Sequence, residues 1–440
     1  MSFKIDKQTL QELQIMGKYT EGSLYNLFNH VKTKGGEQLL DHLFATPLSD
    51  EREINMRSAE FKYFQDSGML FPYDPEPLHK LRTYLDMDTA SNPILNTVRF
   101  LTKRIMAALI HDHAYRQMVE GIHAAVVVFK TTAEFLEHFE QPLPSVASRK
   151  STVQDFLHNP LIQEIRSIDI YGSISVITLA RFDYVLKKEL TEQVAQLLDF
   201  IAWVDVGITV SRVAIDRGLN YATALPADQN LLQCINLRHP VLKKAVGNDL
   251  RMDGQSNVLF LTGANMAGKS TWMKSLGIGM YMAHLGFPIA ADTFTFSIRD
   301  GICSSINTAD SIDQGYSHFY AEVVRISQAA KLVASGLRLF LIFDELFKGT
   351  NVKDAYDGTL AVTRALAEYR HNLVVVSTHI IEVGDGLTDV SGVQFSFMPT
   401  VLKNGIPTYT YQLSKGITED RQGMLIIQNE KILEMLDRCQ

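Results

Sequence analysis

Leu259 to Thr271 reads L-F-L-T-G-A-N-M-A-G-K-S-T, strand-forming residues that run directly into two glycines, a lysine and a serine-threonine pair. A chain carrying this stretch must place a strand, a tight turn and a helix in that order. Gly263-Ala264-Asn265-Met266-Ala267-Gly268-Lys269-Ser270 fits the pattern G-x-x-x-x-G-K-[ST], whose backbone amides turn inward around an anion. The helix expected from Thr271 onward adds its positive end to that concavity. In such a loop Lys269 reaches the outer phosphates of a nucleotide and Ser270 ligates magnesium.

A nucleotide site that hydrolyses also needs a carboxylate beside the metal and a group to orient water. Leu339-Phe-Leu-Ile-Phe-Asp344-Glu345 ends an apolar strand in two adjacent carboxylates. Asp344 is expected in the magnesium shell and Glu345 as the base. Leu373-Val-Val-Val-Ser-Thr-His379 ends a further apolar run in a histidine suited to sensing a terminal phosphate. Asn351-Val-Lys-Asp354 has the wrong order for the guanine-reading N-K-x-D, which disfavours GTP.

Around this core the texture of the chain changes once. From Thr9 to about Leu219 apolar residues recur every three and four positions, as in Leu24, Leu27 and Val31, which predicts helices. Breaks are expected at Pro47, at Pro72 to Pro77 and at Gln141 to Ser151, the last an exposed turn carrying Arg149 and Lys150. After Tyr221 short β-rich runs alternate with helical segments, the cadence of a largely parallel sheet. The expected fold is therefore α + α/β, with a helical domain over residues 1–220 and a nucleotide-binding domain of phosphate-loop type over residues 221–440.

Composition excludes little but does bound the answer. The 440 residues are 46% hydrophobic, enough for two substantial cores. The formal net charge of -7 does not announce a nucleic-acid binder, so any DNA contact must come from a local patch. Three scattered cysteines, Cys234, Cys303 and Cys439, suit neither a disulfide framework nor a zinc site. No long uninterrupted apolar stretch and no signal peptide are evident, so the expectation is a cytoplasmic chain that crosses no membrane.

These motifs resemble the MutS family of DNA mismatch-repair ATPases. Gly263 to Thr271 looks like its G-x-N-M-x-G-K-S-T loop, and Leu237-Arg-His-Pro-Val-Leu242 with Asn248 resembles the approach to its ATPase domain. Ser317-His-Phe-Tyr-Ala-Glu322 is similar to its S-T-F-x-x-E segment, Asp344 to Thr350 with Asp357-Gly358 to its D-E-x-x-x-G-T region, and Ser377-Thr-His379 to its histidine loop. Ser23 to Leu27, Thr33, Gly36, Leu39-Leu40 and Pro47-Leu48 resemble the start of the family's lever domain, and Asn220-Tyr221 its exit. Departures are Gln38 for a common arginine, Leu43 for a tryptophan, Ala267 for a glycine, and Ala245-Val246 where members often offer an aromatic to adenine.

The resemblance implies ATP and Mg2+ as cofactors, with Gly263 to Thr271 at the nucleotide, Ser270 and Asp344 at the metal, and Lys269, Glu345 and His379 in catalysis. It implies a homodimer with composite sites, each completed by Ser317 from the partner subunit. The chain reaches the lever almost at once and shows no mismatch reader, connector, clamp insertion or separate dimerisation domain, with Gln141 to Ser151 a candidate remnant of the clamp. The expected role is accordingly ATP-dependent binding of DNA, branched or distorted rather than mismatched, in repair or recombination. The alternative is a regulatory or scaffolding ATP switch acting on protein partners.

Overall fold

The computed structural model describes residues 3–110, 113–170, 172, 174–306, 318–403 and 406–418. The chain forms two compact units, one of residues 1–28, 43–59 and 213–440, the other of residues 29–42 and 60–212. Where the sequence divides at 220, the structure thus groups two N-terminal stretches with the sheet-bearing unit.

The second unit is helical, as the three-to-four spacing predicts. Its helices include Pro75–Leu85, Pro93–Ile110, Ala114–Leu136, Pro144–His158 and Val176–Tyr184. Four of the five begin at or next to proline or a capping serine, because proline lacks the amide that a helix start leaves unpaired. Ser175 accepts from the Thr178 amide in the same role. Phe64, Phe100, Phe129 and Phe182 are buried at its core. Asp183, fully buried, accepts from Asn96 Nδ2 at 2.9 Å and Thr89 Oγ1 at 2.6 Å, with Lys187 Nζ 3.1 Å away.

One expectation here is corrected. The turn predicted over Gln141 to Ser151 is mostly the helix Pro144–His158, leaving Gln141, at φ +41°, to carry the bend. Arg149 lies over the Trp203 ring at 5.0 Å and Lys150 donates to the Phe139 carbonyl at 3.2 Å. Their positive charges are spent on the fold's own aromatic and carbonyl groups.

In the first unit a six-stranded sheet is built from β1 (Val258–Gly263), β2 (Gly301–Ser305), β3 (Leu339–Asp344), β4 (Leu373–Ser377), β5 (Val393–Met398) and β6 (Ser414–Lys415). Their order is β6-β5-β1-β4-β3-β2, parallel except for β6. β1 and β4 are buried along their whole length, as the unbroken apolar runs require of a sheet covered on both faces. A separate four-stranded sheet joins Thr223–Leu225, Thr293–Ser297, Leu232–Leu237 and Asn248–Met252.

The N-terminal residues belong to this unit through specific contacts. Asp6 caps the first helix by accepting from the Thr9 amide and binds Arg325 at 2.7 Å, and Leu13 packs where Gly277 has no side chain. Phe28 and Phe44 each meet Phe287 edge-on at 5.3 Å. Among the described residues one helix, Thr191–Arg217, is long and apolar enough to cross a membrane by length and composition, but 78% of its apolar window is buried in the fold, as in a core helix. Asp199 and Asp205 interrupt it in the sequence, and Asp205 is used to bind the Lys32 and Thr33 amides.

His284, fully buried near the end of the helix Lys269–Leu285, faces Leu48 O through Nδ1 at 2.8 Å and accepts the Arg299 amide on Nε2 at 3.2 Å. The ring is therefore neutral with its proton on Nδ1, and burial lowers its pKa from 6.5 to about 4. Because the folded value lies below the unfolded one, the unfolded chain takes up the proton first and stability falls as pH drops from about 6.5 toward 4. Urea unfolding should show a loss of about 2 kcal/mol from this group between pH 7 and pH 5. His284→Asn, which cannot titrate, should flatten that slope while lowering stability at neutral pH.

Candidate functional site

The site lies where three neighbouring strands end. β4 sits between β1 and β3, with Ser377 in register with both Leu261 and Asp344. The loop after β1, the carboxylates after β3 and the histidine after β4 are thereby brought together.

The loop's shape depends on its two glycines. Gly263 takes φ +143°, and a Cβ there would stand 3.0 Å from the Met398 carbonyl oxygen; Gly268 takes φ +102°, with the Tyr411 ring 2.8 Å from where its Cβ would be. Met266 also has positive φ, +70°, and its side chain is exposed. Ala267 is buried and is not among the residues of positive φ, so its methyl costs no backbone strain. Lys269, at the start of the 17-residue helix, is buried and donates to the carbonyls of Gly263 at 2.7 Å and Ala264 at 3.1 Å. Burial lowers its pKa, against an upward pull from Glu345 and Asp344. Asn265 is exposed, while Ala264 and Ser270 are half-buried.

Opposite the loop, Asp344 accepts a short hydrogen bond from the Ser377 hydroxyl, which fixes its carboxylate. Glu345 takes φ +54° and donates its amide to the Ser377 carbonyl at 3.0 Å. Two residues later Phe347 is again left-handed, at φ +62°, against the bare face of Gly358. Two non-glycine residues held this way in one turn represent backbone strain of the kind that collects at functional sites. The Glu345 carboxylate lies 3.6 Å from His379 Nδ1. The closeness of this pair holds Glu345 below the usual carboxylate range and raises His379 above that of a free histidine.

A cavity of about 340 Å³ adjoins the loop at Gly268 and Thr271. Ala245 and Val246 line one part of it, and Tyr411 lines another. Tyr411, at φ +58°, is held by Asn248, which donates to its carbonyl at 2.9 Å and accepts the Leu413 amide at 2.6 Å. His239 also lines the cavity, and burial pushes its pKa down to about 4, so it is neutral there.

Sequence reasoning identified the loop residues Gly263 to Thr271, Asp344, Glu345 and His379, and the structure brings these together. Ser317 lies outside the described residues, which resume with the helix His318–Ala334. Ser377 and Tyr411 were not singled out as site residues. Ser377 could have been found from its place two residues before His379; Tyr411 has no motif and becomes visible only through the return of the chain past β5. Asn351 and Asp354 bond to each other at the cap of the helix Val352–Glu368, which occupies both in helix capping.

Chemically, a glycine-shaped loop at a helix start can hold an anion, a hydroxyl and a fixed carboxylate can share a divalent cation, and a strained glutamate paired with histidine can take a proton from water. Comparison with known proteins places this geometry among relatives. The family model for MutS domain III matches residues 8–334 and that for MutS domain V matches residues 259–436. The chain is similar to the DNA mismatch repair protein MutS of Streptococcus mutans serotype c, 31% identical over 243 residues, which cover 53% of this chain and 28% of that protein. It is similar too to the DNA mismatch repair protein MutS of Streptococcus pyogenes serotype M1, 30% identical over 239 residues, 52% of this chain and 27% of that one. The match thus spans little more than a quarter of the length of these relatives.

Proposed function

The chain belongs to the MutS family, and from that premise we propose that it is an ATP hydrolase that couples nucleotide turnover to DNA binding. The observation that carries this reading is the convergence of the Lys269 loop, the Ser377-fixed Asp344 and the Glu345–His379 pair at adjacent strand ends. In it, the loop amides and Lys269 hold the phosphates, Lys269 exchanging its carbonyl partners for phosphate oxygens. Glu345 accepts the proton of the attacking water, and His379 orients Glu345 and senses the terminal phosphate.

The donor set fits magnesium. No cluster of three or more histidine, cysteine or acidic side chains exists among the described residues, as suits a metal held by one or two protein oxygens plus substrate phosphates. Ser270 and Asp344 would hold Mg2+, which supplies charge neutralisation at the phosphates.

Tyr411 is the aromatic wall for the base, replacing the one that Ala245-Val246 does not offer. Its ring packs on Gly268, so a base in the 340 Å³ cavity lies beside the loop that holds its phosphates. Tyr411→Ala is expected to weaken ATP binding roughly tenfold, in line with about 1–3 kcal/mol for stacking on an aromatic ring. Titration with a fluorescent ATP analogue checks it.

The DNA partner follows from the family and from the names of the relatives. Branched or distorted DNA is the preferred substrate in this reading, bound by a homodimer whose composite ATPase sites are completed by Ser317 of each opposite subunit. The test is a titration with duplex, mismatched and four-way-junction DNA, with and without ATP, at several salt concentrations. Junction binding should change with ATP and fall linearly in log–log form with salt. Turnover of ATP without binding to any DNA at low salt would replace this reading with a switch that acts on protein partners.

A further inference from the structure

The helix Pro93–Ile110 buries one side and carries a second apolar face toward solvent, where an ordinary surface helix carries polar residues. Its inner side is held by Phe100 and Asn96, both fully buried, and Asn96 donates to Ala180 O at 2.8 Å and to Asp183 at 2.9 Å. Its outer side carries Ile94 at 78% exposure, Val98 at 54%, Leu101 at 43%, Ile105 at 58% and Leu109 at 74%, with Leu95 and Met106 beside them. Nothing among the described residues covers them.

The spacing of this face says what fits it. Ile94, Val98, Leu101, Ile105 and Ala108 follow one another at intervals of four, three, four and three, an alternation averaging 3.5 residues that keeps a seam facing a second helix. In heptad terms Val98 and Ile105 occupy a, and Ile94, Leu101 and Ala108 occupy d. Branched Val98 and Ile105 at a on either side of Leu101 at the central d position suit a two-stranded seam. Its flanks are Leu95, Thr102 and Leu109 on one side and Thr97 and Arg104 on the other, with a single charge among them. A second copy therefore meets little like-charge repulsion. Seven large apolar residues exposed on one helix form a patch of the kind that marks a protein–protein contact.

We propose that this helix pairs with the same helix of a second copy of the chain, making a dimer contact that is independent of nucleotide. It is a separate contact from the composite ATPase sites proposed above and does not depend on that reading.

The test is sedimentation equilibrium of the whole protein without nucleotide, in wild type and in a Lys269→Ala background. Twice the chain mass is expected in both. Leu101→Glu, and independently Ile94→Glu and Ile105→Glu, should return the nucleotide-free protein to single mass with an unchanged far-ultraviolet circular dichroism spectrum, since all three positions face solvent, any fall in the melt being what dimerisation contributes. Leu70→Glu, at a lone exposed leucine of the same unit, should leave the dimer intact. Leu101 meets Leu101 of the partner subunit in a parallel pair and an a position, Val98 or Ile105, in an antiparallel one, so in a Cys439→Ser background either Leu101→Cys alone or Leu101→Cys mixed with Val98→Cys or Ile105→Cys should cross-link two chains on oxidation. A monomeric wild type overturns the proposal, as does a dimer that survives all three glutamates. A wild type that stays monomeric but binds vesicles of phosphatidylcholine and phosphatidylglycerol, losing this in Leu101→Glu, overturns it in favour of a membrane-facing helix.

Discussion

Glu345→Gln is expected to leave ATP binding intact and to lower hydrolysis by about 10²–10⁴-fold, the usual worth of a positioned general base. The substitution keeps the side chain's shape and the turn that holds it. The backbone at φ +54° is fixed by the amide bond to the Ser377 carbonyl, and glutamine makes the same bond. What changes is the proton acceptor. His379 loses its charged partner at 3.6 Å, so its pKa should fall from its raised value. Single-turnover hydrolysis measured beside equilibrium binding of ATP separates the two effects, since a base removed from an otherwise intact site lowers the rate of chemistry and not the affinity. Wild-type turnover in this variant would show that another group activates water.

Much of this site was legible because its signals are local. The loop needs glycine where φ is positive, at Gly263 and Gly268, and lysine where the helix begins, and these fall within seven residues. The strands β1, β3 and β4 were equally readable, since a parallel strand covered on both faces needs an unbroken apolar run. What sequence could not give was register. That Ser377 lies opposite Asp344 follows from the pairing of β4 with β3, which no spacing along the chain encodes.

The same reason explains Tyr411, which reaches Gly268 from 143 positions further along the chain by way of a partnership with Asn248. It also explains why the compact units divide elsewhere than at residue 220. The residues up to Phe28 have helical spacing, but their partners Arg325, Gly277 and Phe287 lie between 259 and 319 positions away, so spacing alone assigns them to the helical part. The turn expected at Gln141 to Ser151 fails for a different reason: Pro144 stands at the first helical position, where proline starts a helix and does not break one.

Lys269→Ala should fail at the step before chemistry. Lys269 is buried and both its described hydrogen bonds go to carbonyls of its own loop, so the ammonium is stationed beside the anion-holding amides and paired with no carboxylate at bonding distance. Burial lowers its pKa, and Glu345 and Asp344 pull it upward through space. A buried cation with only carbonyl partners gains most from an anion placed within reach, and a charge-assisted bond of this kind is worth about 1.5–3 kcal/mol. Its removal should therefore weaken ATP binding by between about tenfold and a hundredfold. Two carbonyls also lose a donor, so Lys269→Met, which fills the same space without charge, should accompany it. If both variants lose affinity alike while melting close to wild type, the charge is the cause. Full affinity in Lys269→Met would mean that the loop amides alone hold the phosphates and that the lysine serves only to close its own loop.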